Sequence, residues 1–431
     1  MAIKVELNGG LDIGNGYVKA LVESKAEGGK RDTVDMPSAV AILTRPNQVP
    51  ISDEDAAETL NGEDADFFNQ LDASFDSPLI PDSYRRVFGM RSLSADGAFE
   101  EFDTVGRASK AKQPLSKALV LGIFAAKALK DYVAREGSLP TEEILVDASV
   151  ALALPISEFM RHRESYAAEF VNGGKAHIAM VKNFETSVIV KISFSKVEVL
   201  AEGASAHYAI AERGASIMDK VLSDLLENAP TPERREELSE ITSEDVLAAT
   251  NTIGIDVGEG TVNFPVFTNG KFNADASRTL DKGWGSVLLS AITAMEDQGI
   301  EAGFSSRKDI AEFLQRKPSA LKKTFYNRVQ QFVDQEAVFF ADEVAEKLGT
   351  ILRNVGAMTE VGFVYGGGAG AMKDVLYSRL QEKISEMNSM SAFPLLYLDG
   401  SYSRHLNRAG LFLASQDKTK AEAKRAAKKK D

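Results

Sequence analysis

Apolar and polar positions along this chain follow two rhythms, one of strand length and one of helix spacing, and the chain switches between them repeatedly. Ile3–Leu7, Leu11–Ile13 and Tyr17–Val22 are short apolar runs that read as strands of one sheet, with Gly9-Gly10 and Gly14-Asn15-Gly16 as the turns between them. Leu115, Leu119, Ile123, Ala126, Leu129 and Val133 then recur at helical spacing, which predicts a core-facing helix from Pro114 to Arg135 that stops before Gly137. Glu143–Leu154 is an apolar strand halted by Pro155, and a helix follows over Glu158–Phe170. Residues 176–200 alternate as strands, Ala209–Glu227 reads as a helix, and Thr231-Pro232-Glu233 starts another, with Thr as cap and Pro in the first turn. Thr252–Val257 and Val262–Phe267 form a second hairpin. Downstream come a helix Ser286–Met295, a strand Val361–Tyr365, a helix Met372–Lys383 and a strand Leu395–Leu398. The alternation predicts an α/β protein. Residues 53–76, with nine acidic side chains and no Lys or Arg, read as a solvated insertion, and the charged stretch 228–245 reads as a surface insertion.

Three glycine-rich segments carry the candidate chemistry. Leu11-Asp12-Ile13-Gly14-Asn15-Gly16-Tyr17-Val18-Lys19 and Ile255-Asp256-Val257-Gly258-Glu259-Gly260-Thr261 share one design, an apolar strand ending in Asp and then a Gly-rich turn. Such a strand presents a carboxylate at its end, and the glycines let backbone N–H groups face a ligand. Asp12 and Asp256 could hold Mg²⁺ through waters, because magnesium keeps much of its hydration shell and takes one or two carboxylates plus phosphates. Lys19, on the strand after the first turn, could reach a phosphate as a point charge. Asp281-Lys282-Gly283 precedes a helix whose start could bind an anionic group or be a plain tight turn; there Trp284 reads as packing. In Leu154-Pro155-Ile156-Ser157-Glu158 the carboxylate either orients or deprotonates an attacking water, or merely starts the helix. The third segment, Val364-Tyr365-Gly366-Gly367-Gly368-Ala369-Gly370, also fits a dinucleotide fingerprint with Asp399 as ribose acid. Too little chain follows for that domain, and an adenosine contact suits the other motifs better.

Composition narrows the classes. With 431 residues and 44% hydrophobic composition the chain can build two cores, and the absence of cysteine excludes disulfides, thiolate metal sites and a cysteine nucleophile. His162, His177, His207 and His405 are scattered without ligand spacing. A net charge of −13 argues against a general nucleic-acid coat. No apolar run is long enough to span a bilayer and the N-terminus lacks a leader pattern, so the expected location is the cytoplasm. Residues 418–431 are rich in Lys and Arg. They read either as a flexible basic arm for acidic neighbours or DNA, or as a solubilising end.

The order of these motifs resembles that of the actin, heat-shock chaperone and sugar kinase superfamily, and more closely that of the ParM-type bacterial actins that segregate plasmids. The resemblance runs from about residue 10 to about residue 415 and rests on the three glycine-rich segments plus Leu154-Pro155-Ile156-Ser157-Glu158. It implies an actin-like (ribonuclease H-like) α/β fold of two domains, residues 1–155 plus 405–431 and residues 156–404, with nucleotide in the interdomain cleft. It also implies an ATPase that polymerises into dynamic filaments and reaches DNA only indirectly, through an adaptor of ParR type, without a membrane. ATP, with GTP as an alternative, and Mg²⁺ are the implied cofactors. By resemblance Asp12 and Asp256 organise magnesium and Glu158 positions the hydrolytic water. Gly14, Asn15, Gly16, Tyr17, Lys19, Gly258, Glu259, Gly260, Thr261, Lys282 and Gly283 would hold the nucleotide's phosphate side, and Gly366, Gly367, Gly368 and Met372 its adenosine. Asn407-Arg408-Ala409-Gly410 resembles the second connection back to the first domain. Two departures stand out: the acidic stretch 53–76, unlike a typical subunit-contact loop, and Glu259, where many relatives have a small residue. That carboxylate could weaken nucleotide affinity or help coordinate the cation. A filament for cell shape or organelle positioning, a small-molecule kinase and a non-hydrolysing scaffold remain alternatives.

Overall fold

The computed structural model describes residues 3–26, 29–43, 49–103, 109–227, 229, 231–387, 393–398 and 400–416. Asp399 and the basic stretch 418–431 lie outside the described residues. Two compact units form. The first takes the chain up to Leu154, Glu158–Ala201 and the residues from Asn407; the second takes Pro155–Ser157 and Glu202–Leu406.

In the first unit, ten strands among the described residues make one sheet. Its order is Arg31–Pro37, Tyr17–Ser24, Ile3–Ile13, Ile144–Leu154, Val188–Ala201, His177–Val181, Asp72–Asp76, Arg86–Phe88, Ala39–Ile42 and Ala98–Glu101. The boundary expected at 155/156 would give residues 158–201 to the second domain. Their strands settle the matter otherwise: Val188–Ala201 pairs in parallel with Ile144–Leu154, and His177–Val181 pairs antiparallel with Val188–Ala201. The helix Pro114–Glu136, ended by Gly137 at φ 77°, buries the expected apolar stripe, and Phe124 meets Phe194 of the sheet edge-on at 5.4 Å.

Gly9-Gly10 is no turn. Ile3–Ile13 runs unbroken, in parallel register with Ile144–Leu154 from Ile3↔Ile144 to Leu11↔Leu152. The glycines serve close packing instead: a Cβ on Gly10 would stand 2.1 Å from the Phe412 backbone nitrogen, in the helix Leu406–Ser415. That helix also contains Asn407–Gly410, the expected connection, and the chain passes between units at Leu406/Asn407.

The acidic stretch 53–76 is likewise built into the fold rather than inserted on it. Phe67, Phe68 and Leu71 are buried, Asp72–Asp76 is an inner strand of the sheet, and the buried Asp72 carboxylate takes two hydrogen bonds from Arg85, at 2.7 and 2.8 Å. Net charge concealed both the apolar residues and the distant arginine.

In the second unit, the strand Thr252–Val257 is central. It pairs in parallel with Val361–Tyr365 on one side and antiparallel with Val262–Phe264 and Val266–Thr268 on the other. These last two were expected as one strand; Pro265, which has no N–H to donate, divides them. Val361–Tyr365 pairs onward with Leu395–Tyr397. Helices Trp284–Asp297, Lys323–Val355 and Lys373–Met387 cover this sheet with a shared apolar core. The helix expected over Ala209–Glu227 is two, Ala204–Arg213 and Ala215–Glu227. Thr231 caps Pro232–Ser239 as expected, accepting from the Arg234 N–H, and the 228–245 region carries surface helices.

Candidate functional site

The first turn belongs to the first unit. Ile3–Ile13 and Tyr17–Ser24 are antiparallel neighbours with Asp12 directly opposite Lys19, so carboxylate and ammonium share one face of the hairpin. Asp12 is only 8% exposed, and neither side chain has a hydrogen-bond or ion-pair partner among the described residues. A nearly buried carboxylate without a protein partner is costly unless something else compensates it, and a hydrated divalent cation fits that need. Ser38, which the sequence did not flag, braces the turn: its Oγ donates to the Gly14 carbonyl at 2.6 Å and its N–H to the Gly16 carbonyl at 2.9 Å.

Glu158 also sits in the first unit, at the start of the helix Ile156–Val171. Its carboxylate accepts from Ser109 Oγ at 2.6 Å, from the Lys110 N–H at 2.9 Å and from the Ala111 N–H at 3.0 Å. A carboxylate offers about four lone-pair directions, so roughly one is left. That arrangement suits orienting a water better than taking its proton.

The second turn, the expected adenosine segment and the start of the helix Trp284–Asp297 converge in the second unit. Asp256 lies opposite Asn263 and beside Tyr365, and it is 6% exposed. Burial and the Asp256 charge hold the Tyr365 hydroxyl well above its usual range; that hydroxyl donates to the Gly203 carbonyl at 2.8 Å. Gly366 has φ 102°, and a Cβ there would stand 2.6 Å from Asp256 Oδ1, so glycine is required where the third segment passes the carboxylate. The turn itself closes through the Gly258 N–H on the Thr261 carbonyl, 2.9 Å. It is fastened to its neighbours by Trp284 N–H to Gly258 O (3.0 Å), Gly285 N–H to Glu259 O (2.8 Å) and Gly368 N–H to Val257 O (2.8 Å). Lys282 gives its ammonium to Glu343, at 2.7 and 2.8 Å, while Met372 is buried in the unit's core and Gly367 is exposed.

Asn263 is the residue that sequence reasoning missed most clearly. Its Oδ1 accepts from the Ile156 N–H (3.3 Å) and Thr279 Oγ1 (2.9 Å), and its Nδ2 donates to Glu202 (3.0 Å) and Thr261 Oγ1 (3.2 Å). All four positions of the amide are used. One buried side chain thereby ties the second turn to Ile156 and Glu202, the stretches where the chain enters this unit from the other.

Among the described residues no helix is long and apolar enough to cross a membrane. Residues 10–204 match the family model described as the N-terminal domain of actin like proteins. No curated protein matches the chain by sequence. Among solved structures the chain is similar in fold to the actin-like protein Alp7A, at 13% identity and a TM-score of 0.61 with 100% of each chain covered. It is also similar to Ta0583, an archaeal actin homolog, at 13% identity and TM-score 0.58, covering 95% of this chain and 99% of that one. Bacillus thuringiensis ParM with ATP matches at 16% identity and TM-score 0.53, covering 95% and 98%. Residues 10–204 thus match the N-terminal domain of actin like proteins, and the chain shares the fold of solved actin homologues.

Proposed function

We propose that this protein is an ATP-binding and ATP-hydrolysing actin-like protein whose subunits assemble into dynamic filaments, and that those filaments segregate plasmid or other low-copy DNA through a DNA-bound adaptor. The observation that carries the nucleotide reading is the Asp12–Lys19 cross-strand pair, poised beside a Gly-rich turn with neither charge engaged among the described residues. A second Asp-Gly turn in the other unit and a structural relative solved with ATP support it. In this reading both Gly-rich turns bind phosphate. Asp12 and Asp256 would hold the magnesium, which when bound would shield the triphosphate charge. Lys19 meets a phosphate oxygen as a point charge, and the amides of 14–16 and 259–261 donate to the others. Glu158, fixed by three donors, orients the attacking water. ATP contacts favour one conformation of the subunit, and a head-to-tail contact that does not close on itself propagates an open filament.

Titrating the purified protein with Mg-ATP by calorimetry tests the first step. Wild type should bind, and Lys19→Ala should weaken binding by about tenfold or more, the worth of one charge-assisted hydrogen bond. Equal affinity in wild type and Lys19→Ala would remove the first turn from the site, and no binding by wild type would end the nucleotide reading.

A further inference from the structure

The carboxylate at Glu259 is the feature of the second turn that a triphosphate site should least tolerate, and the fold supplies a specific answer to it. Glu259 Oε1 lies 2.9 Å from Arg307 Nε. Arg307 is 8% exposed and occupies the first position of the helix Arg307–Gln315, where the helix dipole disfavours a cation. Burial and dipole both work against that charge unless an anion is fixed beside it. Space for the pair comes from Gly285: a Cβ there would stand 3.0 Å from the Glu259 carbonyl oxygen, 3.1 Å from Arg307 Cδ and 3.2 Å from Glu259 Cγ. The Glu259 side chain therefore lies over the start of the helix Trp284–Asp297, and the Gly285 N–H holds its carbonyl. The nearby Lys282 gives its ammonium to Glu343.

We propose that Arg307 is a positioning residue for phosphate binding: it neutralises Glu259 and holds that carboxylate on the helix side of the second turn, so that the turn can accept an anionic ligand. This rests on the nucleotide reading above. Arg307 acts through Glu259 and makes no phosphate contact of its own. Without it, the Glu259 carboxylate loses the guanidinium 2.9 Å away, and ATP suffers more than ADP because it carries the larger charge.

The test is a double-mutant cycle on the full chain, with Mg-ATP and Mg-ADP affinities measured for wild type, Arg307→Gln, Glu259→Gln and the doubly substituted protein. Arg307→Gln should weaken ATP binding by about tenfold, as expected for one unscreened charge near a polyanion, and ADP binding by less. Adding Glu259→Gln should bring affinity back to within about twofold of Glu259→Gln alone, a rescue that a purely structural role would not give. If Arg307→Gln does not fold, the doubly substituted protein, which removes both charges of the pair, is compared directly with Glu259→Gln. A double variant much weaker than Glu259→Gln would show that Arg307 meets the ligand itself, and unchanged affinity in Arg307→Gln would show that the pair is irrelevant to binding; either overturns the proposal. Wild type that binds neither nucleotide overturns the underlying reading as well, which separates the two failures.

Discussion

Replacing Glu158 by Gln should loosen the 109–111 segment as well as affect any chemistry, and the size of that loosening follows from the hydrogen bonds. One carboxylate oxygen receives Ser109 Oγ and the Ala111 N–H, and the other receives the Lys110 N–H. A Gln side chain has only one acceptor oxygen. If it faces Ala111, its NH₂ group confronts the Lys110 N–H; if it faces Lys110, the NH₂ confronts the Ala111 N–H. Lys110 and Ala111 are both buried, so in either orientation one buried amide loses its acceptor. Leaving such a group unsatisfied costs about 2 kcal/mol, and the loss of charge assistance on the remaining bonds adds to that. Amide hydrogen exchange reads the effect locally: Lys110 and Ala111 should exchange ~30-fold faster in Glu158→Gln, with distant strands unchanged. Rates within about threefold of wild type at both amides would refute the geometry. The practical consequence is that long-lived filaments in a Glu158 variant cannot be credited to blocked hydrolysis until this local change has been measured.

Three further outcomes follow from packing and charge. Gly10→Ala would drive a Cβ to 2.1 Å from the Phe412 nitrogen, and denaturant unfolding should show a loss of about 3 kcal/mol or more, with no loss if the helix Leu406–Ser415 can simply shift away. Asn263→Ala strips acceptor or donor from Ile156, Thr279, Glu202 and Thr261; chemical denaturation should show about 2–4 kcal/mol of destabilisation, against ~1 for Thr279→Val, and equal small effects would demote Asn263 from its central role. His207 is stacked on Phe267 at 3.9 Å, and burial pushes its imidazole down to about 4 from 6.5, so the unfolded chain binds the extra proton between those values. Its contribution is therefore complete above pH ~6.5 and is lost as pH falls toward 4; between pH 7 and pH 5 the wild type should lose about 2 kcal/mol that His207→Phe retains.

Much of the fold was legible because burial imposes periodicity. The helix Pro114–Glu136 and the strands Thr252–Val257 and Val361–Tyr365 were read from apolar spacing almost to the residue. What misled was glycine and charge. Gly9-Gly10 resembles a turn in sequence, yet Gly9 makes room for Phe124 and Gly10 for Phe412, about 400 positions away, and nothing local announces those contacts. The acidic run 53–76 advertised solvent while Phe67 and Phe68 turned inward and Arg85 waited to pair with Asp72. The site shows the same division. Asp12, Lys19, Asp256 and the glycines were visible because strand-Asp-Gly is a local pattern. Ser38 and Arg307 were not, since each acts on a turn far from it in sequence, and Asn263, two residues past the second turn, was hidden because its partners Ile156, Glu202 and Thr279 come from elsewhere in the chain.

The central claim is that nucleotide drives assembly. Light scattering of the purified protein after addition of Mg-ATP, with phosphate release followed in parallel and Mg-ADP as the control, tests it most directly. Scattering should rise with ATP, stay flat with ADP, and decay as phosphate appears. No polymer at any protein concentration, with turnover only when a small acceptor molecule is added, would contradict the filament account and point to a kinase on the same fold.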